Sequence, residues 1–160
     1  MNTATLDTTS GRTAIARQKP SLPLRWLINH NYIKFMFRQS ILDYGCGRGR
    51  DVDYLGSIGA YAVGFDPNQA DFNVLNDTAH YDVVLCTYVL NTVSPEVQRE
   101  ITWELTRIAS ESINPTDIYV TVRRDIPKEG TRTQRWVELS GVWRSIRRTS
   151  GYEIYHLNIR

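Results

Sequence analysis

The sequence predicts an α/β protein with a doubly wound, mostly parallel sheet flanked by helices. Three observations predict it. Short apolar runs suited to buried strands recur at residues 40–44, 61–65, 82–87 and 118–122. Helical patterns separate several of these runs, notably at 51–57 and from Ser94 onward. Glycines at 45, 47 and 49 follow the first run directly, where a strand would hand over to a helix. Strands alternating with helices bury a parallel sheet on both faces.

The elements follow in order. From Leu22 the residues Leu24, Leu27 and Ile28 recur near helical spacing, which predicts a helix over 22–30 with a connection after Asn31. Ser40-Ile41-Leu42-Asp43-Tyr44 reads as a buried strand. Asp51 to Ser57 continues as a helix closed near Gly56 or Gly59. Tyr61–Phe65 is the second strand, stopped by Asp66-Pro67, and Asp82–Thr87 is the third. Ser94-Pro95-Glu96 combines a cap, a proline at the first helical position and an early acid. The helix it starts puts Val97, Ile101, Leu105 and Ile108 on one face and ends before Asn114-Pro115. Ile118–Val122 is the fourth strand. For the tail, a helix near 142–149 ended by Gly151 and a strand over Tyr152–Leu157 is the favoured reading. A hairpin turning at Ser150-Gly151 competes with it. Only about 15 residues separate Asp66 from the third strand, so the region after the second strand is reduced.

The glycine turn carries the chemistry. Glycine admits φ > 0 and lets a ligand approach the backbone. The crevice for such a ligand lies at the carboxyl ends of the strands, where strand order reverses. Asp43 ends the first strand there. Asp66 ends the second, 19 residues beyond Gly47, and can accept hydrogen bonds from both hydroxyls of a ribose. A nicotinamide dinucleotide loop would read Gly-x-Gly-x-x-Gly. Here the pattern is Gly-x-Gly-x-Gly with an Asp two residues upstream.

Ile41-Leu42-Asp43-Tyr44-Gly45-Cys46-Gly47-Arg48-Gly49 resembles the first motif of the class I, Rossmann-like, S-adenosylmethionine-dependent methyltransferases, and Gly64-Phe65-Asp66-Pro67 resembles their second. The resemblance implies S-adenosylmethionine as cofactor and S-adenosylhomocysteine as product. It implies that the loop glycines meet the methionine part, that Asp43 positions its amino group and that Asp66 holds the ribose. Pro67, Tyr88 and Val89 complete the implied cofactor set. Thr13-Ala14-Ile15-Ala16-Arg17, Ser21-x-Pro23 and Tyr88-Val89-Leu90-Asn91 are similar to methyltransferases associated with DNA phosphorothioation, over residues 12–110. Most class I enzymes place a further strand and helix between Asp66 and residue 82, so this chain departs from them. Asn76 or Asp77 is then a candidate adenine contact.

A methyl acceptor must be aligned with a sulfonium carbon, and its proton, if it has one, needs a base or a polar clamp. Tyr88 and Asn91, at the end of the third strand, are the candidate catalytic residues. The alternative is that Tyr88 packs beside the cofactor and Asn91 caps a turn. Arg17 is a candidate lid residue or a surface cation. Arg123 and Arg124 end the fourth strand and are candidates to contact an anionic substrate. The polar loop Thr131-Arg132-Thr133-Gln134-Arg135 could contribute. The (Asn/Asp/Ser)-Pro-Pro-(Tyr/Phe) signature of amino-methylating DNA enzymes is absent, and neither Cys46 nor Cys86 follows a proline as in cytosine-C5 enzymes. A module that binds the cofactor without transferring its methyl group is the second hypothesis.

Composition bounds the rest. The 160 residues are 41% apolar and 22% charged, a globular profile suited to one core. Residues 1–21 are read as an N-terminal segment, mobile or a lid, and residues 22–160 as the cofactor-binding domain. Residues 1–120 carry 10 Lys/Arg against 13 Asp/Glu, whereas residues 121–160 carry 9 against 4. The basic end could meet a nucleic acid, or it could be a solvated face. The acceptor is a small molecule or nucleic-acid-related. Two cysteines and three scattered histidines suggest no disulfide framework and no metal set. Residues 1–12 lack the apolar core of a leader, no run reaches the roughly 20 apolar residues of a membrane span, and a cytoplasmic setting is expected. Trp26, Trp103, Trp136 and Trp143 are expected to be core or half-buried packing residues.

Overall fold

The computed structural model describes residues 17–34, 38–76 and 79–159. Asp77 and most of the segment 1–21 lie outside these. Helix α1, Leu22–Asn29, starts where Ser21 Oγ accepts the Leu24 N–H at 3.3 Å, and it buries Pro23, Leu24 and Leu27. Strand β1, Ser40–Tyr44, feeds the glycine turn and then α2, Arg50–Ser57. Strand β2, Tyr61–Phe65, and β3, Val83–Thr87, follow. Helix α3, Pro95–Ser110, is capped by Ser94 and buries Ile101, Leu105 and Ile108, the face its spacing predicts. Then come β4, Thr116–Arg123, β5, Arg144–Arg148, and β6, Tyr152–Ile159.

The six strands form one sheet in the order β2-β1-β3-β4-β6-β5. The first four are parallel, while β6 runs antiparallel to both β4 and β5. Alternation along the strands divides the core. Leu42, Tyr44, Val84, Cys86, Ile118, Val120 and Val122 pack beneath α3. Ile41, Val83, Leu85, Tyr119 and Ile154 pack with Leu24 and Leu27 of α1 and Leu55 of α2. The chain leaves β1 toward β2 on one side and reaches β3 on the other. Strand order therefore reverses at β1, and a crevice opens beyond its carboxyl end.

The shortened region after β2 is as predicted. Residues 66–76 and 79–82 hold a single 3₁₀ turn, Ala70–Phe72, and no strand among the described residues. β2 is consequently an edge strand that exposes Tyr61 and Val63.

Two expectations are corrected. Residues 142–149 are not a helix. Arg144–Arg148 is an edge strand, and the chain turns at Ser150-Gly151 into β6, with Thr149 Oγ1 accepting the N–H groups of Gly151 and Tyr152. Val142, Trp143 and Ile146 mimic a helical stripe, but Val142 is 73% exposed and no core faces it. Trp103 lies on the outer face of α3, away from Ile101 and Leu105, and is 68% exposed. Trp26, Trp136 and Trp143 are half-buried. Among the described residues, no helix is long and apolar enough to cross a membrane.

Candidate active site

The glycine turn needs its glycines for two reasons. Gly45, Gly47 and Gly49 have φ of 76°, 57° and 73°, a region that side-chain-bearing residues rarely adopt. The protein also packs against two of them. A Cβ at Gly45 would sit 2.2 Å from Val89 Cγ2, and one at Gly49 would sit 2.5 Å from the Phe72 ring. Gly49 also caps α2, whose first turn carries Asp51 and Asp53. Gly49 thus packs behind the turn, while Asp43, Tyr44, Gly45, Cys46, Gly47 and Arg48 line a crevice of about 450 Å³. That volume is within the range of small-ligand sites.

Two acids face this crevice from neighbouring strands. Asp66 Oδ2 accepts the Gly47 N–H at 2.9 Å and Asp66 Oδ1 accepts the Asn68 N–H at 2.9 Å. The glycine turn and the acid are thereby locked to each other, and each carboxylate oxygen keeps a lone pair for a ligand hydroxyl. The backbone strengthens the lock, because Gly45 N and Cys46 N both donate to Phe65 O. Asp43 is 4% exposed on the α1–α2 face of β1. Burial, then the Asp51 carboxylate, pushes its carboxyl up to about 8; Arg17 pulls the other way, and Asp66 adds to the rise. A cation placed beside Asp43 would relieve that cost. Burial likewise pushes the Cys46 thiol up, so it is no thiolate nucleophile.

The opposite wall comes from β3. Tyr88 has φ of 64°, strained for an aromatic residue, and its N–H donates to Thr121 O at 2.8 Å. Its phenol, pushed up to about 12 mainly by burial, stays neutral. The Arg17 guanidinium lies 5.5 Å from the centre of the Tyr88 ring, so the segment before α1 crosses the crevice mouth. That segment is tied to α2: Arg50 donates to Gln18 O, and Ser21 N donates to Asp51 Oδ1 at 2.7 Å. Pro67, Val89 and Arg123 also line the crevice.

Residues 14–111 match the methyltransferase domain family. The chain belongs to that family. No curated protein shows significant sequence similarity to it. Its fold is similar to magnesium protoporphyrin IX methyltransferase from Synechocystis PCC 6803, crystallised with bound SAH. The two are 17% identical with a TM-score of 0.58, over 86% of this chain and 80% of that one. It is also similar to a 1,6-didemethyltoxoflavin-N1-methyltransferase from Burkholderia thailandensis, crystallised with bound 1,6-didemethyltoxoflavin and S-adenosylhomocysteine. Here the identity is 15% and the TM-score 0.55, covering 86% of this chain and 76% of that one. A hypothetical protein from Thermus thermophilus is 13% identical with a TM-score of 0.60 over 91% and 90% of the two chains.

In this methyltransferase domain two expected site residues stand outside the crevice. Arg124, the residue just past the end of β4, points to the opposite side from Arg123 and continues the strand's alternation. There it is buried, pairs with Glu153 at 2.7 Å, donates to Val137 O and Tyr155 Oη, and stacks on Trp136. It is a structural cation and no substrate contact. Asn91 is wholly buried and is not a catalytic group. Its Nδ2 donates to Arg135 O and its Oδ1 accepts the Arg123 N–H, both at 2.7 Å, while Arg135 N donates to Asn91 O. It clamps the 131–135 loop and the end of β4 to the turn after β3. Asn76 lies away from the crevice, beside β2.

The crevice is also lined by two acids to which the sequence reading gave no site role, and by one residue of the polar loop it named. Asp51 reads as a helix-start acid, yet it anchors Ser21 and raises Asp43. Asp125 grips Arg123 through Nε and Nη2 at 2.8 and 2.7 Å and lines the crevice. Gln134 lines it too, with Oε1 buried and without a hydrogen-bond partner. Only the polarity of its loop signalled a role.

Proposed function

We propose that this methyltransferase domain binds S-adenosylmethionine in the crevice between β1 and β3 and transfers its methyl group to an acceptor, a small molecule or a nucleic-acid component, entering past Tyr88. The observation that carries the reading is the Gly47–Asp66 hydrogen bond, which holds the glycine turn and an acid suited to ribose hydroxyls together on one wall. The fold neighbours crystallised with S-adenosylhomocysteine support it.

Bound there, the donor supplies an electrophilic methyl carbon on a sulfonium. Asp66 accepts from the ribose hydroxyls. Asp43 compensates the positive end of the donor and becomes the anion that its surroundings otherwise suppress. Gly45 and Gly47 let the chain approach without side chains. Tyr88 and Val89 close the β3 wall, and positioning supplies much of the rate.

We also group the chain with the methyltransferases associated with DNA phosphorothioation, on residues 13–17, 21–23 and 88–91. Cys46 and Cys86 are free thiols, which supports a reducing, cytoplasmic setting. The exposed Arg144, Arg147 and Arg148 of β5 favour a separate contact with nucleic acid outside the crevice. Its affinity should fall steeply with salt; salt-independent binding would remove it.

Calorimetric titration tests the main reading. S-adenosylmethionine and S-adenosylhomocysteine should bind at micromolar Kd, about −8 kcal/mol, and NAD should not bind. Binding of NAD alone refutes it. Donor binding without turnover over any acceptor pool would favour the non-transferring module.

A further inference from the structure

We propose that the side of the sheet carrying α1 and β5 is a docking surface for single-stranded nucleic acid. Arg25, Lys34, Arg144 and Arg147 hold its phosphates, and an unpaired base stacks on His30. The proposal extends the nucleic-acid contact read above for β5 and rests on that reading.

Charge selects a polyanion. From Arg17 to Leu42 the chain carries five Lys/Arg and no Asp/Glu, and residues 139–152 carry three Arg and no acid. The fold brings these segments together: the Arg147 guanidinium lies 5.5 Å from the centre of the Trp26 ring. Arg144 faces the same side. It pairs with His156 as Arg147 pairs with Ile154, and Ile154 packs with α1. Arg148 takes the other side and reaches Glu153 at 3.5 Å. Arg25, Lys34, Arg144 and Arg147 are exposed, and among the described residues none of them forms an ion pair.

The elements that build this side, α1, β4, β5 and β6, contain two carboxylates, and both are engaged. Asp117 is bonded to His156 and Asn158, with Lys34 close enough for their charges to interact. Glu153 is buried on the opposite side against Arg124 and Ser145. Guanidinium N–H groups match the oxygens of a phosphate.

Ring geometry selects an unpaired strand. His30, Trp26 and Tyr32 form a stack with centroids 4.3 and 5.3 Å apart and planes inclined by 25° and 27°. Tyr32 meets Tyr119 of β4 edge to face, and His156 of β6 stacks on Tyr119, so the row is anchored in the sheet. His30 ends the row. It is exposed, its Nδ1 lies 2.9 Å from Trp26 O, and among the described residues Trp26 is its sole ring neighbour. One ring face lies on Trp26, and the other extends the stack outward for a base. A duplex keeps its bases paired and stacked on one another, whereas a single strand can offer one.

The test titrates the full chain with a labelled oligothymidylate of about 12 nucleotides, read by fluorescence anisotropy across a salt series. Four phosphate contacts on a single strand predict a log–log salt slope of about −2.8, a loss of roughly 50-fold between 50 and 200 mM salt. Arg144→Gln with Arg147→Gln should flatten the slope by about 1.4, and Arg25→Gln with Lys34→Gln by about as much. His30→Ala should weaken binding at least about fivefold and leave the slope unchanged. Arg99→Gln, on α3 across the sheet, should change neither. Melting temperatures are read alongside, and Arg144→Gln alone replaces its pair should the pair lower them. A duplex of equal length bound as tightly overturns the proposal, as does native binding by the His30→Ala protein. So do phosphatidylserine vesicles that bind with the same dependence on these residues, which would make the surface a membrane contact. Binding weakened by the β5 changes while those at residues 25, 30 and 34 have no effect refutes the proposal and leaves the β5 contact standing. Absence of salt-sensitive binding removes both.

Discussion

Replacing Asp43 by Asn should make the protein more stable at neutral pH while weakening donor binding. The carboxyl is 4% exposed, and its pKa rises from the usual 3.8 to about 8. Between those values the unfolded chain has released the proton and the folded chain has kept it. Stability of the native protein therefore falls as pH rises, by about 1.4 kcal/mol per pH unit, and levels off above about pH 8. Asn has nearly the shape of the protonated carboxyl and carries no such penalty. The stability gap in favour of Asp43→Asn should widen by roughly 2–3 kcal/mol between pH 5.5 and 7.5. With a urea slope near 2 kcal/mol/M, the midpoints should separate by a further 1 M or more, roughly. Urea unfolding of both proteins at the two pH values is the assay. S-adenosylhomocysteine, whose ammonium group favours the ionised carboxyl, should flatten the pH dependence of the native protein alone. A gap that stays constant with pH would refute the reasoning, because burial would then not be suppressing the ionisation of Asp43.

Three further outcomes are expected. Asp66→Ala should weaken S-adenosylhomocysteine binding by about 1.5–3 kcal/mol in calorimetry, through loss of charge-assisted contacts. Gly45→Ala should lower thermal stability and abolish donor binding, because the new methyl would meet Val89 in a backbone conformation alanine resists by about 1–2 kcal/mol; a melting temperature equal to that of the native protein would count against this. Glu153→Gln should destabilise by about 3–5 kcal/mol, since it strands the buried Arg124, and the double variant Arg124→Leu with Glu153→Leu should cost less than the single one in chemical denaturation.

Much of the glycine-turn side of the crevice was legible because strands and turns write themselves locally. β1 and β2 begin and end where their apolar runs do, and α3 shows its cap, its proline and its face in consecutive residues. The reduced segment after β2 was visible as mere shortness. The side of the crevice formed by the ends of β3 and β4 depends on contacts across long sequence gaps. Asn91 meets Arg135 44 residues away, a pairing no local pattern announces. Arg123 and Arg124 looked equivalent until β4 turned them to opposite faces. β5 lies at an edge with Arg144, Ser145, Arg147 and Arg148 all exposed, so it lacks the alternation by which a strand is recognised. Gln134 was one polar residue among several in its loop.

The edge position of β2 has a dynamic consequence. Asp66 hangs from the outermost strand of the parallel half, which is braced by β1 alone. Outer strands open first in local unfolding. A ligand that bridges Asp66 to Asp43 would act as the brace the sheet lacks. Its arrival should slow amide hydrogen exchange along Tyr61–Phe65 more than along β3, already flanked on both sides.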